Sequence, residues 1–449
     1  MSNTAPAPHL SSSTGGLKRT LGFIDLVAYG LAYIALVVPL TSLGFVWGAS
    51  DGLIATSYAI GAICMYFTAQ SYATMSREVS SAGSVYGFAR MSLGNRLGFL
   101  SGWVILLDYL LIPALVFALM SIGMELLIPE ISRGAWICIV AFITLAINWF
   151  GIKITSKVSA LSVLAQFVIV AVVVVLAIMA LHGGAGNGAL TAKPFFGSGP
   201  INWSNIFSGT SIAVMAFLGF DAISTLSEET RDGNDKGLIG RAIMAVLIIA
   251  GVLFMFITWV IGNLMPAIEM KDPATAIFDL LGQTVGPWAP AALAWALAIA
   301  VGFTNTMPML AGVSRVLFAM GRDHQLPAIF GTLHAGTGVP RVALLASTVV
   351  STTIALILKD QVDILASLVS LGALTGFAML HISVIVHFKN SPRRSWFFHL
   401  TAPILGLLVV FAVLTGMHEA AIWTGFVWLS LGVIYGTYLG RRGRVVMDV

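Results

Sequence analysis

Long apolar runs, separated by short polar segments, recur along almost the whole chain. A helix that crosses a hydrocarbon core of roughly 30 Å needs about 20 apolar residues, and most of these runs reach that length. The runs lie near residues 22–47, 53–74, 97–127, 134–152, 158–182, 204–226, 238–264, 284–312, 341–358, 363–388, 397–417 and 420–439. The pattern therefore predicts an all-α membrane protein with twelve transmembrane helices.

Basic residues indicate the orientation, because cytoplasmic loops carry an excess of Lys and Arg. If the N-terminus is inside, 19 of the 23 Lys and Arg residues fall in inner segments. The four that fall outside are Arg133, Lys193, Lys271 and Lys359. An error of one helix would scramble this alternation. Twelve helices with both termini in the cytoplasm are therefore the consistent prediction.

The first and the sixth runs are less regular than the others. The stretches 25–35 (DLVAYGLAYIA) and 208–221 (SGTSIAVMAFLGFD) hold Gly, Ser, Thr and an acid where a plain membrane helix would hold Leu. If five helices are repeated in inverted orientation, helix 6 begins on the opposite side from helix 1, as in inverted-repeat transporters. Unwound backbone in either helix can offer amides and carbonyls to a ligand.

Composition leaves no room for a separate soluble domain. Of the 449 residues, 58% are hydrophobic and 9% are charged. The net charge of +4 does not indicate nucleic-acid binding, because the basic residues are isolated rather than gathered in a stripe. We expect a disordered cytoplasmic tail over residues 1–18, a transport domain over 19–440 and a second cytoplasmic tail over 441–449.

Signatures of enzymes and metal sites are weak or absent in the sequence. Cys64 and Cys138 lie in apolar runs without a CxxC motif, and there is no P-loop motif. The stretch 418–422 (HEAAI) begins like a zinc-protease motif but ends in Ile. We therefore expect no catalytic residue, metal or cofactor. We interpret one acidic cluster as a solvated loop face, formed by Glu228, Glu229, Asp232 and Asp235.

Two acids fall inside apolar runs, where an ionised carboxylate costs at least about 2.5 kcal/mol. Asp108 lies within helix 3 and Asp221 lies late in helix 6. Each is a candidate partner for a cationic amine or a candidate carrier of a coupling proton. The alternative is a neutral, hydrogen-bonded acid that holds two helices together. Asp25, nearer the inner surface, is expected to cap helix 1.

Aromatic residues accompany these acids. On a regular helix Phe217, Phe220 and Asp221 would share one face, where a ring beside an acid suits an ammonium group through cation–π attraction. Packing alone also explains either ring. Three tyrosines bring hydroxyls to mid-membrane depth, where each needs a partner and is a candidate ligand contact: Tyr29, Tyr33 and Tyr109.

Four stretches resemble the amino acid, polyamine and organocation superfamily of permeases, over nearly the whole chain. They are 81–86 (SAGSVY) with 93–94 (LG), 217–222 (FLGFDA) with 227–230 (SEET), 314–323 (SRVLFAMGRD) with 326–327 (LP), and 371–374 (LGAL). Within the superfamily, 107–110 (LDYL) and 217–221 look closest to bacterial putrescine importers. The resemblance implies a bacterial inner-membrane permease.

The resemblance also implies a leucine-transporter-type fold, with a 5+5 inverted repeat and two further C-terminal helices. Substrate would be held by broken helices 1 and 6, with alternating access coupled to protons or to exchange. By position, the helix 1 break falls at Tyr29, Gly30, Leu31, Ala32, Tyr33, Ile34 and Ala35. The helix 6 site falls near Met215, Ala216, Phe217, Gly219, Phe220 and Asp221.

Three departures from the superfamily pattern affect the expected substrate and coupling. The stretch 33–36 (YIAL) stands where many relatives have a G-S/T-G run, which favours a substrate without an α-carboxylate. Gln166 occupies the position of a lysine that some proton-coupled relatives keep in helix 5. Met215 stands at what looks like the position where certain exchangers of the superfamily have an aromatic gate residue. Phe217 and Phe220 are therefore the remaining gate candidates.

The sequence therefore predicts a secondary active permease that imports a small amine such as putrescine, or an amino acid, by proton symport. In this hypothesis Asp221 pairs with an ammonium group and Asp108 carries or senses the proton. Tyr29, Tyr33 and Tyr109 supply hydrogen bonds. A neutral amino-acid carrier or exchanger is the first alternative, and a membrane amine sensor or receptor is the alternative from another class.

Overall fold

The computed structural model describes residue 17 and residues 19–231, 235–270, 272–273, 275–302, 304–415 and 419–441. This described chain is helical, apart from loops and an isolated bridge between Leu21 and Thr230. Most of the two predicted tails, 1–18 and 441–449, lies outside the described residues.

The α-helices are α1 (Phe23–Ile34), α2 (Val38–Thr41), α3 (Leu43–Ala49), α4 (Ile54–Glu78), α5 (Val85–Leu93), α6 (Asn95–Leu127), α7 (Arg133–Trp149), α8 (Ile152–His182), α9 (Lys193–Phe196), α10 (Trp203–Met215), α11 (Leu238–Leu264), α12 (Ala276–Thr284), α13 (Ala289–Leu297), α14 (Thr306–Arg322), α15 (Arg341–Leu358), α16 (Val362–Phe388), α17 (Ala402–Leu414) and α18 (Glu419–Arg441).

Length and hydropathy show which of these helices can cross a membrane. Nine spans in the described part of the chain are long and apolar enough. A tenth candidate is the pair α3 and α4, which is bent by 98° at a short break. Two shorter apolar helices, Arg133–Trp149 and Ala289–Ala300, lie in the fourth and eighth apolar runs. An all-α multi-pass membrane protein is therefore confirmed, whereas twelve helices in a 5+5 arrangement stay a prediction.

The interruption of helix 1 falls later than the sequence suggests. The resemblance places it within residues 29–35, but α1 continues through Ile34, and Ala35 leaves the helix with a φ of +65°. The chain turns again at α2, with Pro39 in its first turn. A proline ring in a helix collides with the carbonyl four residues earlier, which here belongs to Ala35. Pro39 therefore accounts for a break at residues 35–37.

The interruption of helix 6 falls where it is expected. Helix α10 ends at Met215, and the chain passes through Gly219, whose φ is +116°, into a 3-10 helix over Phe220–Glu229. Between the two helices, the amide of Leu218 donates to the carbonyl of Met215 at 3.2 Å. Short-range bonds of this kind keep the backbone hydrogen-bonded where no water is available.

The two interrupted helices pack directly against each other. The 3-10 helix Phe220–Glu229 packs against α1, α4, α11 and α14. A Cβ on Gly30 would lie 2.5 Å from the Ile223 side chain, and a Cβ on Gly219 would lie 2.3 Å from the Tyr33 ring. Glycine at these positions therefore lets the backbone of one broken helix approach side chains of the other.

Gly219→Ala should destabilise the protein, because a Cβ would strain the positive φ and overlap the Tyr33 ring. We expect a loss of about 2 kcal/mol, seen as a lower melting temperature of the purified protein in detergent. Gly123→Ala is the matched control, since nothing lies within 4 Å of a Cβ at this helical position. Equal melting temperatures for the two variants would contradict the described geometry of the break.

Candidate functional site

The carboxylate of Asp221 is the centre of the candidate site. Its side chain belongs to the 3-10 helix after the break and is 1% exposed. The Tyr109 hydroxyl of α6 donates to Oδ2 at 2.7 Å, and the Tyr72 hydroxyl of α4 makes a longer contact with the same oxygen at 3.4 Å. Among the described residues no Lys, Arg or His forms an ion pair with Asp221. The site therefore holds a buried acid whose partners are hydroxyls rather than a basic side chain.

The two tyrosines of α1 differ in their partners. The Tyr29 hydroxyl donates to the Pro308 carbonyl at 2.6 Å and so fastens α1 to α14. The Tyr33 hydroxyl is buried and has no hydrogen-bond partner among the described residues. Its ring lies against Gly219, two positions before Asp221. Tyr33 therefore has an unused polar group beside the helix 6 break, whereas the hydroxyl of Tyr29 serves the packing of helices.

The rings of Phe220 and Phe217 have different neighbours. Phe220 stacks on Phe377 of α16 with centroids 6.0 Å apart, and it forms a T-shaped pair with the Tyr72 ring at 6.1 Å. Phe217 packs instead against Phe254 of α11 at 5.1 Å and against Tyr58 of α4 at 6.4 Å. Because Tyr72 also contacts Asp221, Phe220 belongs to the aromatic wall of the candidate site.

The other residues predicted for the site take supporting places. Gly30 lies at a helix contact, against Ile223, and Met215 is the last residue of α10. Ile34 and Ala35 are buried where α1 ends. Asp25 accepts a hydrogen bond from the Gly22 amide at 2.9 Å, which confirms its interpretation as a helix cap.

The second intramembrane acid, Asp108, lies against α16. Its side chain is 3% exposed, and one of its carboxylate oxygens is buried without a hydrogen-bond partner in the described part of the chain. A Cβ on Gly372 would lie 2.5 Å from the Asp108 amide nitrogen, so α6 and α16 touch here. Asp108 therefore lies one residue from the tyrosine that donates to Asp221, on a tightly packed helix contact.

Sequence reasoning missed several residues around Asp221. Tyr72, Phe377 and two serines belong to this group, and Ser224 donates to Ser84 at 2.6 Å. Tyr72 has the same signal that singled out Tyr109, a phenol within an apolar run that needs a partner. The serines carry no comparable signal, because small hydroxyls are common in membrane helices and usually bond to their own backbone.

Gln166 of α8 supplies the hydrogen bond that the interrupted helix 1 lacks. Its Oε1 accepts from the Leu36 amide at 2.7 Å. Its Nε2 donates to Ser162 Oγ and to Asn305 Oδ1, each at 3.0 Å. One side chain therefore joins the break in helix 1 to α8 and to the residue that precedes α14.

The acidic cluster after helix 6 is not the solvated face that the sequence suggests. Glu229 is 2% exposed and forms a buried ion pair with Arg315 of α14, with Arg315 Nη2 3.3 Å from Glu229 Oε2. Asp235 is a surface partner of Arg241, whose hydrogen bond lowers the pKa of this carboxyl group. Asp232 lies outside the described residues. The interpretation was wrong for Glu229 because its cation lies 86 residues away along the chain.

Neighbouring pairs extend this ion-pair cluster. Glu228 accepts from Arg322 at 2.8 Å and from the Ala82 amide at 3.0 Å. Asp323 pairs with Arg90 and accepts from the Tyr86 hydroxyl at 2.8 Å. The backbone contributes as well, since the Leu21 amide donates to the Glu229 carbonyl at 3.0 Å. The chain before α1, the segment around α5 and the end of α14 are thus fastened together beyond the 3-10 helix.

Comparisons with known proteins agree with this architecture. A model of the amino acid permease family matches residues 25–437. The low-affinity putrescine importer PlaP of Escherichia coli (strain K12) is 32% identical over 427 residues, which cover 93% of each chain. The branched-chain amino acid permease BcaP of Bacillus subtilis (strain 168) is 28% identical over 97% of this chain and 96% of its own. The methylthioribose transporter of the same organism is 26% identical over 96% of this chain and 95% of its own.

Removing one partner of the buried Glu229–Arg315 ion pair should destabilise the protein strongly. Arg315→Met leaves the Glu229 carboxylate buried without its cation, and Glu229→Gln leaves the Arg315 guanidinium buried without its anion. For each variant we expect the free energy of unfolding to fall by about 3–5 kcal/mol. The double variant should recover part of the loss, because it leaves no unpaired charge. Melting temperature and membrane abundance measure the effect. Arg241→Ala, at the surface pair, is the control and should change neither, so an equal effect there would contradict the role of burial.

Removing the Gln166 carbonyl should loosen the helix 1 break. In Gln166→Leu the buried Leu36 amide loses its acceptor, which costs about 1–3 kcal/mol. Hydrogen–deuterium exchange over residues 35–38 should become faster, and the melting temperature should fall. Gln283→Leu, at an exposed position in α12, serves as the matched control. Unchanged exchange in Gln166→Leu would show that Gln166 does not hold the break.

Proposed function

The chain belongs to the amino acid permease family, and we propose that it imports a small cationic amine such as putrescine. The transport is secondary and active, with alternating access and protons as the coupling ion. We place the protein in a bacterial inner membrane with both termini in the cytoplasm, in keeping with the distribution of Lys and Arg.

The observation that carries this proposal is the buried Asp221 carboxylate with no basic partner among the described residues. A charge of this kind is costly unless a cation or a proton neutralises it. An ammonium group supplies both the positive charge and three hydrogen-bond donors. The unpartnered Tyr33 hydroxyl offers an acceptor for one of these donors. The wall of Phe220 and Tyr72 offers aromatic faces for cation–π contact.

A second observation favours an amine over an amino acid. An amino acid carries an α-carboxylate, which broken membrane helices bind through free backbone amides. At the helix 1 break the Leu36 amide already donates to Gln166 Oε1 at 2.7 Å. A substrate carboxylate would have to displace this bond. A diamine has no such group and leaves the Gln166 contact intact.

Asp108 is the proposed proton carrier. It is buried, and one of its carboxylate oxygens has no hydrogen-bond partner in the described part of the chain. No donor therefore occupies this oxygen, and it is free to take up a proton. Asp108 precedes Tyr109, which donates to Asp221. A change at one acid can therefore reach the other through Tyr109, the residue next to Asp108 in α6. Asp221 itself is the other proton-coupling candidate, because it can hold a proton when no amine is bound.

In the proposed cycle the ion-pair cluster closes the cytoplasmic side. With both termini inside, Glu228, Glu229 and their arginine partners lie between the site and the cytoplasm. Release of the substrate inward requires the 3-10 helix to separate from α14. The Glu229–Arg315 pair then has to open or move as a unit.

A neutral amino-acid carrier remains the second candidate, because the matched relatives include a branched-chain amino acid permease. The two functions differ in whether a zwitterion competes for the site. Excess leucine or valine should leave putrescine uptake unchanged if the amine proposal holds. Ornithine and arginine, which carry side-chain cations, should compete more strongly than neutral amino acids.

Putrescine uptake into proteoliposomes tests the proposal directly. We expect saturable uptake that an inward proton gradient accelerates, and a loss of at least about 30-fold in Asp221→Asn, because a desolvated charge pair is worth roughly 2–5 kcal/mol. Asp279→Asn, at a half-buried acid of α12 that accepts a hydrogen bond from Thr275, is the matched control and should transport normally. Full uptake by Asp221→Asn at normal abundance would refute the central role of Asp221. Transport of a zwitterion without putrescine would refute the amine.

A further inference from the structure

A polar cavity that does not include Asp221 lies where α3 ends and α10 begins. It has a volume of about 170 Å³. Its wall comes from the turn between α3 and α4 and from the chain that leads from α9 into α10. The lining residues used below are Ser50, Asp51, Phe196, Ser198, Asn202 and Asn205.

The cavity lies between α3, which follows the break in helix 1 along the chain, and α10, which precedes the break in helix 6. Ser50 directly follows α3, and a Cβ on Gly209 of α10 would lie 2.6 Å from the Ser50 Cβ. The two helix halves therefore touch at the cavity wall. In the predicted orientation this end of both helices faces the outside of the cell, so the cavity is open to a substrate that has not yet reached Asp221.

One polar group in the cavity wall lacks a partner that a ligand could supply. Ser50 is fully buried, and its Oγ has no hydrogen-bond partner among the described residues. Asp51 adopts a φ of +54°, in the left-handed region that Asp and Asn enter more readily than other residues with a side chain, and the Gly52 amide anchors this turn through a 3.0 Å bond to the Trp47 carbonyl. A buried hydroxyl left without a partner costs stability, which a bound donor recovers.

The chemistry of the wall selects a cation. Asp51 is the only ionisable residue that lines the cavity, and it is an acid. The hydroxyls and amide oxygens around it are hydrogen-bond acceptors, and Phe196 adds an exposed aromatic ring. One carboxylate with neutral acceptors suits a singly charged ammonium group, whereas a divalent metal ion would need more anionic or more closely arranged ligands.

We propose that this cavity is an outer binding site for the ammonium group of an alkylamine, with Asp51 as its ion-pair partner and Ser50 as a hydrogen-bond acceptor. That the amine is the transported substrate rests on the proposed function; that the cavity binds an ammonium group does not. A ligand here contacts both outer helix halves at once, so the site gathers amines near the entrance before the central site receives them.

Equilibrium binding of radiolabelled putrescine to the full chain in lipid nanodiscs tests the proposal. The wild type should show two classes of site, and Asp51→Asn should lose one of them. Asparagine, like aspartate, readily adopts a positive φ, so the turn should persist, which the melting temperature checks. Asp221→Asn should lose the other class, and the double variant should bind no putrescine.

The outcomes separate this inference from the proposed function. Wild-type stoichiometry and affinity in Asp51→Asn would overturn the outer site, whatever Asp221→Asn shows. Binding that depends on Asp51 but not on Asp221 would support the outer site and overturn the amine role of the central site. No putrescine binding in the wild type would overturn the outer site as well.

Chemical labelling gives a readout that does not depend on transport. In a background with both native cysteines replaced by serine, Ser198→Cys should react about tenfold faster with a cationic methanethiosulfonate reagent than with an anionic one, because Asp51 attracts the cation. The preference should disappear in Asp51→Asn, and ethylammonium should slow the labelling. Equal rates for the two reagents with Asp51 present would overturn the proposal. Labelling of intact cells by membrane-impermeant reagents should succeed, since the site faces outward.

Discussion

The constraint on which this structure depends is that a bilayer offers no water to an interrupted helix. Every backbone amide or carbonyl freed by a break needs a partner within the protein. At helix 6 the chain meets this need locally, through short-range turns that lead into a 3-10 helix. At helix 1 it uses a long-range partner, because Gln166 accepts the Leu36 amide. The two breaks therefore differ in what can bind there. One leaves an acid at its end, and the other has its freed amide already occupied.

The 3-10 helix Phe220–Glu229 carries two buried carboxylates with different partners. Glu229 has an arginine partner, and this pair fastens the 3-10 helix to α14. Asp221, eight residues earlier, is equally buried but forms no ion pair with a basic side chain among the described residues. A buried charge with its own cation is complete, whereas one without a basic partner can still accept a cation or a proton. Burial alone thus does not distinguish a candidate binding residue from a structural acid; the difference in partners does.

Apolar length and misplaced polar residues were enough to predict the helical membrane fold, the irregular sixth helix and the place of Asp221 within it. These signals are local. What the sequence could not supply is the pairing between distant segments. Tyr72 and Asp221 are 149 positions apart, and Glu229 and Arg315 are 86 apart. Only the packing of helices decides these neighbours. The late break in helix 1 is different, since the clash between Pro39 and the Ala35 carbonyl could have been read from the sequence.

The shared 3-10 helix links binding to opening in the proposed cycle. Asp221 and Glu229 lie at its two ends, roughly 16 Å apart at a rise of about 2.0 Å per residue. A short helix of this kind moves as one piece, and it is joined to α1 by the close contact of Gly30 with Ile223. A cation that neutralises Asp221 removes the cost of burying this acid, so it favours conformations in which the site is closed around the ligand. If the site closed toward the outside and never opened toward the cytoplasm, the substrate would stay bound. In the proposed cycle, the Glu229–Arg315 pair is therefore the contact whose strength sets how often the cytoplasmic side opens. This argues for a tuned pair rather than the strongest possible one.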